Sequence, residues 1–182
     1  MNWLAVQYKQ LTGSIPFTIF NISRIEFIAF TGSSLSGYLP NGLCDGLPIL
    51  KGLYLSYNKL HDQMPTSLTN CSQLQILSLS DNEFDGPIHS AIGSLTNLQV
   101  LDLGTNHFTG IIPHLHITSS LQRLSMWDNN LSGFLPWEIG NLTNKQRLHL
   151  SGNKLIAQRM GEIFFFLKSQ LELAKNLQME QV

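Results

Sequence analysis

From Leu50 onward the apolar positions of this chain obey one rule. The stretches LYLSYN, LSLSDN, LDLGTN, LSMWDN and LHLSGN each alternate an apolar residue with a variable one, the period-two pattern of a short strand with one face turned inward. A turn signal recurs between such stretches as Gly, a variable residue and then Ile or Leu before Pro, in GSIP, GYLP, GIIP and GFLP. Glycine there permits a tight turn and proline forbids a continuing helix, so the chain is predicted to turn back after each strand.

Aligning Leu74 with Leu98 brings out the pattern L-x-x-L-x-L-x-x-N-x-(L/F)-x-G, whose asparagines Asn58, Asn82, Asn106, Asn129 and Asn153 stand 24, 24, 23 and 24 residues apart. Two degenerate units, with Ser33 and Lys9 in place of the asparagine, carry the series back. Seven units then begin at Met1, Ile25, Leu50, Leu74, Leu98, Leu121 and Lys145. One unit cannot bury its leucines alone, but stacked units form a parallel sheet over a continuous leucine core. The prediction is a solenoid over residues 1–155, with a parallel β-sheet on its concave face and loops, turns and short helical segments on the convex side. Beyond it, Met160, Ile163, Leu167, Leu171, Ala174 and Leu177 recur at helical spacing, which predicts an amphipathic C-terminal α-helix in a non-repeat tail over 156–182.

The anchor asparagines have a structural part in this scheme. Their amides carry donors and acceptors that can satisfy backbone groups where strand gives way to loop, and stacking predicts a ladder of them. Replacing Leu79 or Leu103 by Ala is predicted to cost about 2 to 5 kcal/mol through lost burial and the cavity left behind.

The variable residues between the strand leucines point the other way, and they form four columns on the concave face. One column reads Trp3, Phe27, Gly52, Ile76, Val100, Arg123, Arg147, and the next Ala5, Ala29, Tyr54, Ser78, Asp102, Ser125, His149. A third reads Gln7, Thr31, Ser56, Ser80, Gly104, Trp127, Ser151, and a fourth Tyr8, Gly32, Tyr57, Asp81, Thr105, Asp128, Gly152. Aromatic and charged residues gather here without any demand from the core, and Trp, Tyr and Arg are common interface anchors. Tyr54, Tyr57, Asp81, Asp102, Arg123, Trp127 and Arg147 are therefore the candidate ligand-binding residues. Seven strands about 4.8 Å apart span roughly 29 Å, room for an extended peptide or a protein edge.

Composition narrows the function further. Eleven Lys and Arg against twelve Asp and Glu, with no like-charge run, disfavour a nucleic-acid partner. The start MNWLAVQYKQ lacks the basic and continuous apolar segments of an export signal, and IFFFL is far shorter than the ~20 apolar residues of a membrane span. No phosphate loop, kinase motif or nucleophile elbow occurs, so neither catalysis nor a cofactor is expected. Asp81 and Asp102 lie on adjacent strands but lack the burial that tunes catalytic carboxylates, and His114 and His116 have no evident third metal ligand. Cys44 and Cys71 form no CxxC motif, and their pairing is left open by the sequence. Four sequons, at Asn21, Asn70, Asn130 and Asn141, are candidate glycosylation sites, although Asn-Leu-Thr is equally a piece of the repeat. Asn21, Asn70 and Asn141 share a phase eight residues after the turn position, away from the strand face.

The units LQILSLSDNEFDGPIHSAIGSLTN and LQRLSMWDNNLSGFLPWEIGNLTN closely resemble the plant-type leucine-rich repeat. That resemblance implies a recognition module of the kind carried outside the cell by receptor-like serine/threonine kinases, binding peptides or proteins and working with a co-receptor in defence or development. A secreted inhibitor of a wall-degrading enzyme, or a nonfunctional gene fragment, are the alternatives. The repeat also departs from the family pattern: Asp62 replaces the turn glycine, His89 the proline, and Lys145 the leading leucine. The paired-cysteine caps that such arrays usually carry are absent, so a fragment of a longer array is expected.

Overall fold

A computed structural model of the chain describes residues 2–8, 11–115, 120–136, 138–139 and 147–156. The expected tail helix lies outside these residues, as do His116, Asn141 and Lys145. Ile156 is the last described residue and ends a strand.

Odd-numbered strands build the first sheet: β1 (Trp3–Ala5), β3 (Phe27–Ala29), β5 (Gly52–Tyr54), β7 (Ile76–Ser78) and β9 (Val100–Asp102), then β11 (Arg123–Ser125) and β13 (Arg147–His149). They run parallel in chain order as one seven-stranded sheet. The register pairs Trp3 with Phe27, Phe27 with Gly52, Gly52 with Ile76, Ile76 with Val100, Val100 with Arg123, and Arg123 with Arg147. The 24-residue period thus sets the alignment, and the first two sequence columns are columns of the sheet. Between them Ile28, Leu53, Leu77, Leu101, Leu124 and Leu148 point inward and are buried. Leu55, Leu79 and Leu103 lie fully buried one step further on. Each such leucine contributes about 1.5 to 3 kcal/mol of burial, so the core is a sum over neighbours along the axis.

Further strands run between the asparagine position and the turn, where only loops and turns were expected. β2 (Thr12–Ser14), β4 (Ser34–Gly37), β6 (Lys59–Gln63) and β8 (Glu83–Asp85) form a second parallel sheet. β10 (Thr109–Gly110), β12 (Asn130–Phe134) and β14 (Lys154–Ile156) form a third. Both lie on the flank of the solenoid, where Leu35, Leu60, Phe84, Phe108 and Leu131 turn into the core, with the Phe84 and Phe108 rings stacked at 6.2 Å.

On the convex side the 3-10 helices Phe17–Asn21, Thr66–Asn70 and Ser90–Ser94 begin after Pro16, Pro65 and His89. His89 has φ −65°, close to the −61° and −64° of the two prolines, so it adopts the conformation that proline would impose. Asp62 likewise takes the backbone of the glycine it replaces, at φ +66°, beside +81° to +68° at Gly13 and Gly86. Unlike His89, it does so in a region that side chains disfavour.

Cys44 and Cys71 are joined in a disulfide, with Cα atoms 5.1 Å apart. The bond ties the irregular second unit to the end of the Thr66–Asn70 helix.

Candidate functional site

The strand face is held in shape from its lower edge by the asparagines. Asn82 is buried; its Oδ1 accepts from the Leu60 N–H at 3.0 Å, and its Nδ2 donates to the carbonyls of Leu55 at 2.9 Å and Leu79 at 3.1 Å. Asn58, Asn106, Asn129 and Asn153 repeat this geometry toward the N–H groups of Leu35, Phe84, Phe108 and Leu131. Four strand-end carbonyls are shared. Leu55 O accepts from Asn58 and Asn82, Leu79 O from Asn82 and Asn106, Leu103 O from Asn106 and Asn129, and Met126 O from Asn129 and Asn153. Ser33, in the asparagine position of the second unit, is too short to join, and its hydroxyl has no partner among the described residues.

Just before each asparagine the backbone is left-handed. Tyr8, Tyr57, Asp81, Thr105 and Asp128 have φ between 48° and 59°, and Gly32 and Gly152 occupy the same place in their units. The fourth column is thus selected partly by backbone conformation, which Asp and Gly tolerate well and Tyr or Thr poorly. In the third column Ser56 and Ser80 are only 4% and 6% exposed, bonded to each other at 3.0 Å, and Gly104 is buried. The middle of that column is floor of the face, which simple alternation of the sequence did not distinguish from its surface.

Of the candidate residues, Tyr57, Arg123 and Arg147 are exposed, and Tyr54, Asp81, Asp102 and Trp127 are half-buried on the same face. Two groups form. In the first three units Trp3 stacks on Phe27 at 4.3 Å and lies 6.5 Å from Tyr54 with planes nearly parallel. Trp3 and Phe27, absent from the candidate set, belong with Tyr54. In the last units Trp127 stacks on His149 at 5.3 Å, and His149 meets Ser151 at 2.9 Å.

Glycines make these arrangements possible. A Cβ on Gly52 would come within 2.7 Å of the Phe27 ring and 2.8 Å of the Tyr54 ring. One on Gly104 would strike the Trp127 indole, and one on Gly32 the Tyr8 ring. Each notch is filled by a side chain of a neighbouring unit, so the rings are pinned before any ligand arrives.

Electrostatics centre on the carboxylates. Asp81, with burial and Asp102 behind it, pushes the Tyr57 phenol above its ordinary pKa. Burial alone raises that of Tyr54. Burial lowers that of His149, against an opposing pull from Asp102 and Asp128. Away from the face, His114 meets Glu138 at 2.8 Å, and no group of three His, Cys, Asp or Glu placed to hold a metal occurs among the described residues. Asn21, Asn70 and Asn130 are all exposed: the first two end 3-10 helices on the convex side, and Asn130 opens β12 on the flank.

A parallel-sheet solenoid with an asparagine ladder and a pinned aromatic face is the build of a repeat-type binding scaffold. The chain belongs to the leucine-rich-repeat family, whose model matches residues 50–71, 73–95, 97–116 and 120–142. It is 35% identical over 89 residues to Receptor-like protein 43 of Arabidopsis thaliana, covering 49% of this chain and 12% of that one. Among solved structures it resembles the ectodomain of the Arabidopsis receptor kinase SOBIR1, at 34% identity and TM-score 0.64, covering 69% of this chain and 68% of that one. It also resembles the ectodomain of the Arabidopsis receptor kinase HAESA, solved with a peptide hormone ligand, at 28% identity and TM-score 0.76, covering 80% and 24%. The chain therefore spans only about an eighth of the curated receptor-like protein it matches. No helix among the described residues is long and apolar enough to cross a membrane.

Proposed function

We propose that this chain is an extracellular recognition module that binds a peptide or protein on its seven-stranded face and carries no chemistry of its own. In this reading it is part of the ligand-binding region of a plant receptor-like kinase or receptor-like protein, which passes the signal on with a co-receptor. The pinned rings of that face carry the reading. Preorganised aromatic side chains cost little entropy on binding and make strong anchors, and the core gives no reason for them to stand in water. The likeness to a receptor ectodomain that holds a peptide hormone supports the same conclusion. A location outside the cell is supported by the Cys44–Cys71 bond, since such bonds persist in oxidising compartments, and by exposed sequons at Asn21, Asn70 and Asn130, which we propose as glycosylation sites.

The test is a selection of displayed peptides against the secreted chain, followed by titration of the winners against a variant with Tyr54, Trp127 and Arg147 changed to Ala. The expected loss is about a hundredfold, two or more kcal/mol at the anchors together. Winners that bind the variant as well as the native chain would show that the strand face is not the binding surface.

A further inference from the structure

The recognition reading leaves the ligand's chemistry open, and the way side chains are banded along the solenoid narrows it. The inference rests on that reading. In the first three units the four columns hold no charged residue, and the stack of Trp3, Phe27 and Tyr54 dominates. Trp3 is 47% exposed, so the stack keeps apolar ring surface in contact with water. In units four to six the second and fourth columns hold Asp102, Asp81 and Asp128. None of the three is in an ion pair among the described residues, where Lys51 pairs with Glu26, and the hydrogen-bonded contacts of His61 and His114 go to Asp62 and Glu138. Arg123 and Arg147 stand in the first column, and no salt bridge joins them to these carboxylates among the described residues.

Two rings flank the acidic stripe. Tyr57, 57% exposed, lies beside Asp81, and the Trp127 indole packs against Gly104, two residues past Asp102. Unpaired carboxylates between aromatic faces favour a cation, by Coulomb attraction and by the ring quadrupole together. The acidic stripe alone would say little. Placed beside an exposed apolar stack on the same rigid sheet, it defines a partner with two chemistries at a fixed separation. From Tyr54 on β5 to Asp102 on β9, both in the second column, is two strand spacings, about 10 Å. An extended peptide covers that distance in about three residues.

We propose that the strand face takes an extended peptide bearing a ring side chain and, about three positions away, a Lys or Arg. The ring packs on the Trp3, Phe27 and Tyr54 stack, and the cation sits among Asp81, Asp102 and Asp128 between Tyr57 and Trp127.

The probes are N-acetylated, C-amidated decapeptide pools with Tyr fixed at one position and Arg fixed two, three, four or six positions away, with matching pools that carry Glu in place of Arg. They are titrated by fluorescence anisotropy against the full chain with its disulfide formed. The Arg pools at separations of three and four should bind about tenfold or more tighter than their Glu counterparts, and the advantage should shrink as salt rises from 50 to 500 mM. The double variant Asp81→Asn, Asp102→Asn should erase that preference while keeping the advantage of Tyr over Ser. Asn suits the left-handed backbone at position 81, so an unchanged urea midpoint separates this effect from misfolding. Trp3→Ala should do the reverse, losing the Tyr advantage and keeping that of Arg. Pools that need Tyr54, Trp127 and Arg147 for binding yet favour Glu, or show no charge preference, would overturn this inference and leave the recognition reading standing. Binding that ignores those three residues would overturn both.

Discussion

Asn82 offers the most searching test of how the repeat is held together. In Asn82→Ala the Leu60 N–H loses the acceptor it had at 3.0 Å and is left buried, which costs about 1 to 3 kcal/mol. The Leu55 and Leu79 carbonyls lose one donor each but keep Asn58 and Asn106, so they add only about 0.5 kcal/mol apiece. The expected cost is therefore about 3 kcal/mol, read from urea unfolding by circular dichroism, with loss of hydrogen-exchange protection at the Leu60 amide. Sharing makes a sharper forecast. In the double variant Asn82→Ala, Asn106→Ala the Leu79 carbonyl loses both donors, so the pair should cost about 1 kcal/mol more than the sum of its parts. Asn58 and Asn106 share no carbonyl, and that pair should be additive. Equal behaviour of the two pairs would refute the shared-carbonyl account. Asn82→Asp should be worse than Asn82→Ala at neutral pH, because a carboxylate would face the carbonyls that the amide now donates to.

Three further outcomes are expected. Asp62→Gly should raise stability and Asp62→Val lower it, with thermal melts differing by about 2 kcal/mol, since a β-branched side chain fits poorly at φ +66°; equal melts would remove the strain argument. Cys44→Ser should cost about 3.5 kcal/mol by the chain-entropy estimate for a bond closing 27 residues, and dithiothreitol should lower the native urea midpoint while leaving the variant's unchanged. His149 has its pKa lowered by burial from 6.5, so the unfolded chain takes up the proton first. The stability it supplies is whole above pH 6.5 and is lost as pH falls through that value toward the folded pKa. His149→Gln should therefore weaken the drop in urea midpoint between pH 7.5 and 5.5, and an unchanged drop would contradict the sign.

Strand register was legible because it needs only a period: Trp3, Phe27 and Gly52 fall in one column as soon as the 24-residue spacing is known. The leucine core followed for the same reason. Other features depend on which neighbour a side chain meets across units, and one-dimensional alternation does not carry that. Ser56 reads as surface and lies buried because Ser78 and Ser80 close over it. Trp3 and Phe27 gain their place at the site only through Tyr54, which leans toward them over Gly52. The flank strands escaped notice because the turn glycine and proline read as punctuation, although Leu60, Phe84 and Leu131 already marked an inward face there. The Cys44–Cys71 pairing needed the fold to bring an irregular unit beside the next one.

The glycine notches also bear on how such a surface can be altered. A ring rooted in one unit rests in a gap supplied by the next or the previous one, as Trp127 does on Gly104 and Tyr8 on Gly32. The smallest heritable piece of specificity is therefore a pair of adjoining repeats. Grafting a single repeat into another array would transplant a ring without its seat, or a seat without its ring, and two-repeat cassettes are the natural currency for redesign.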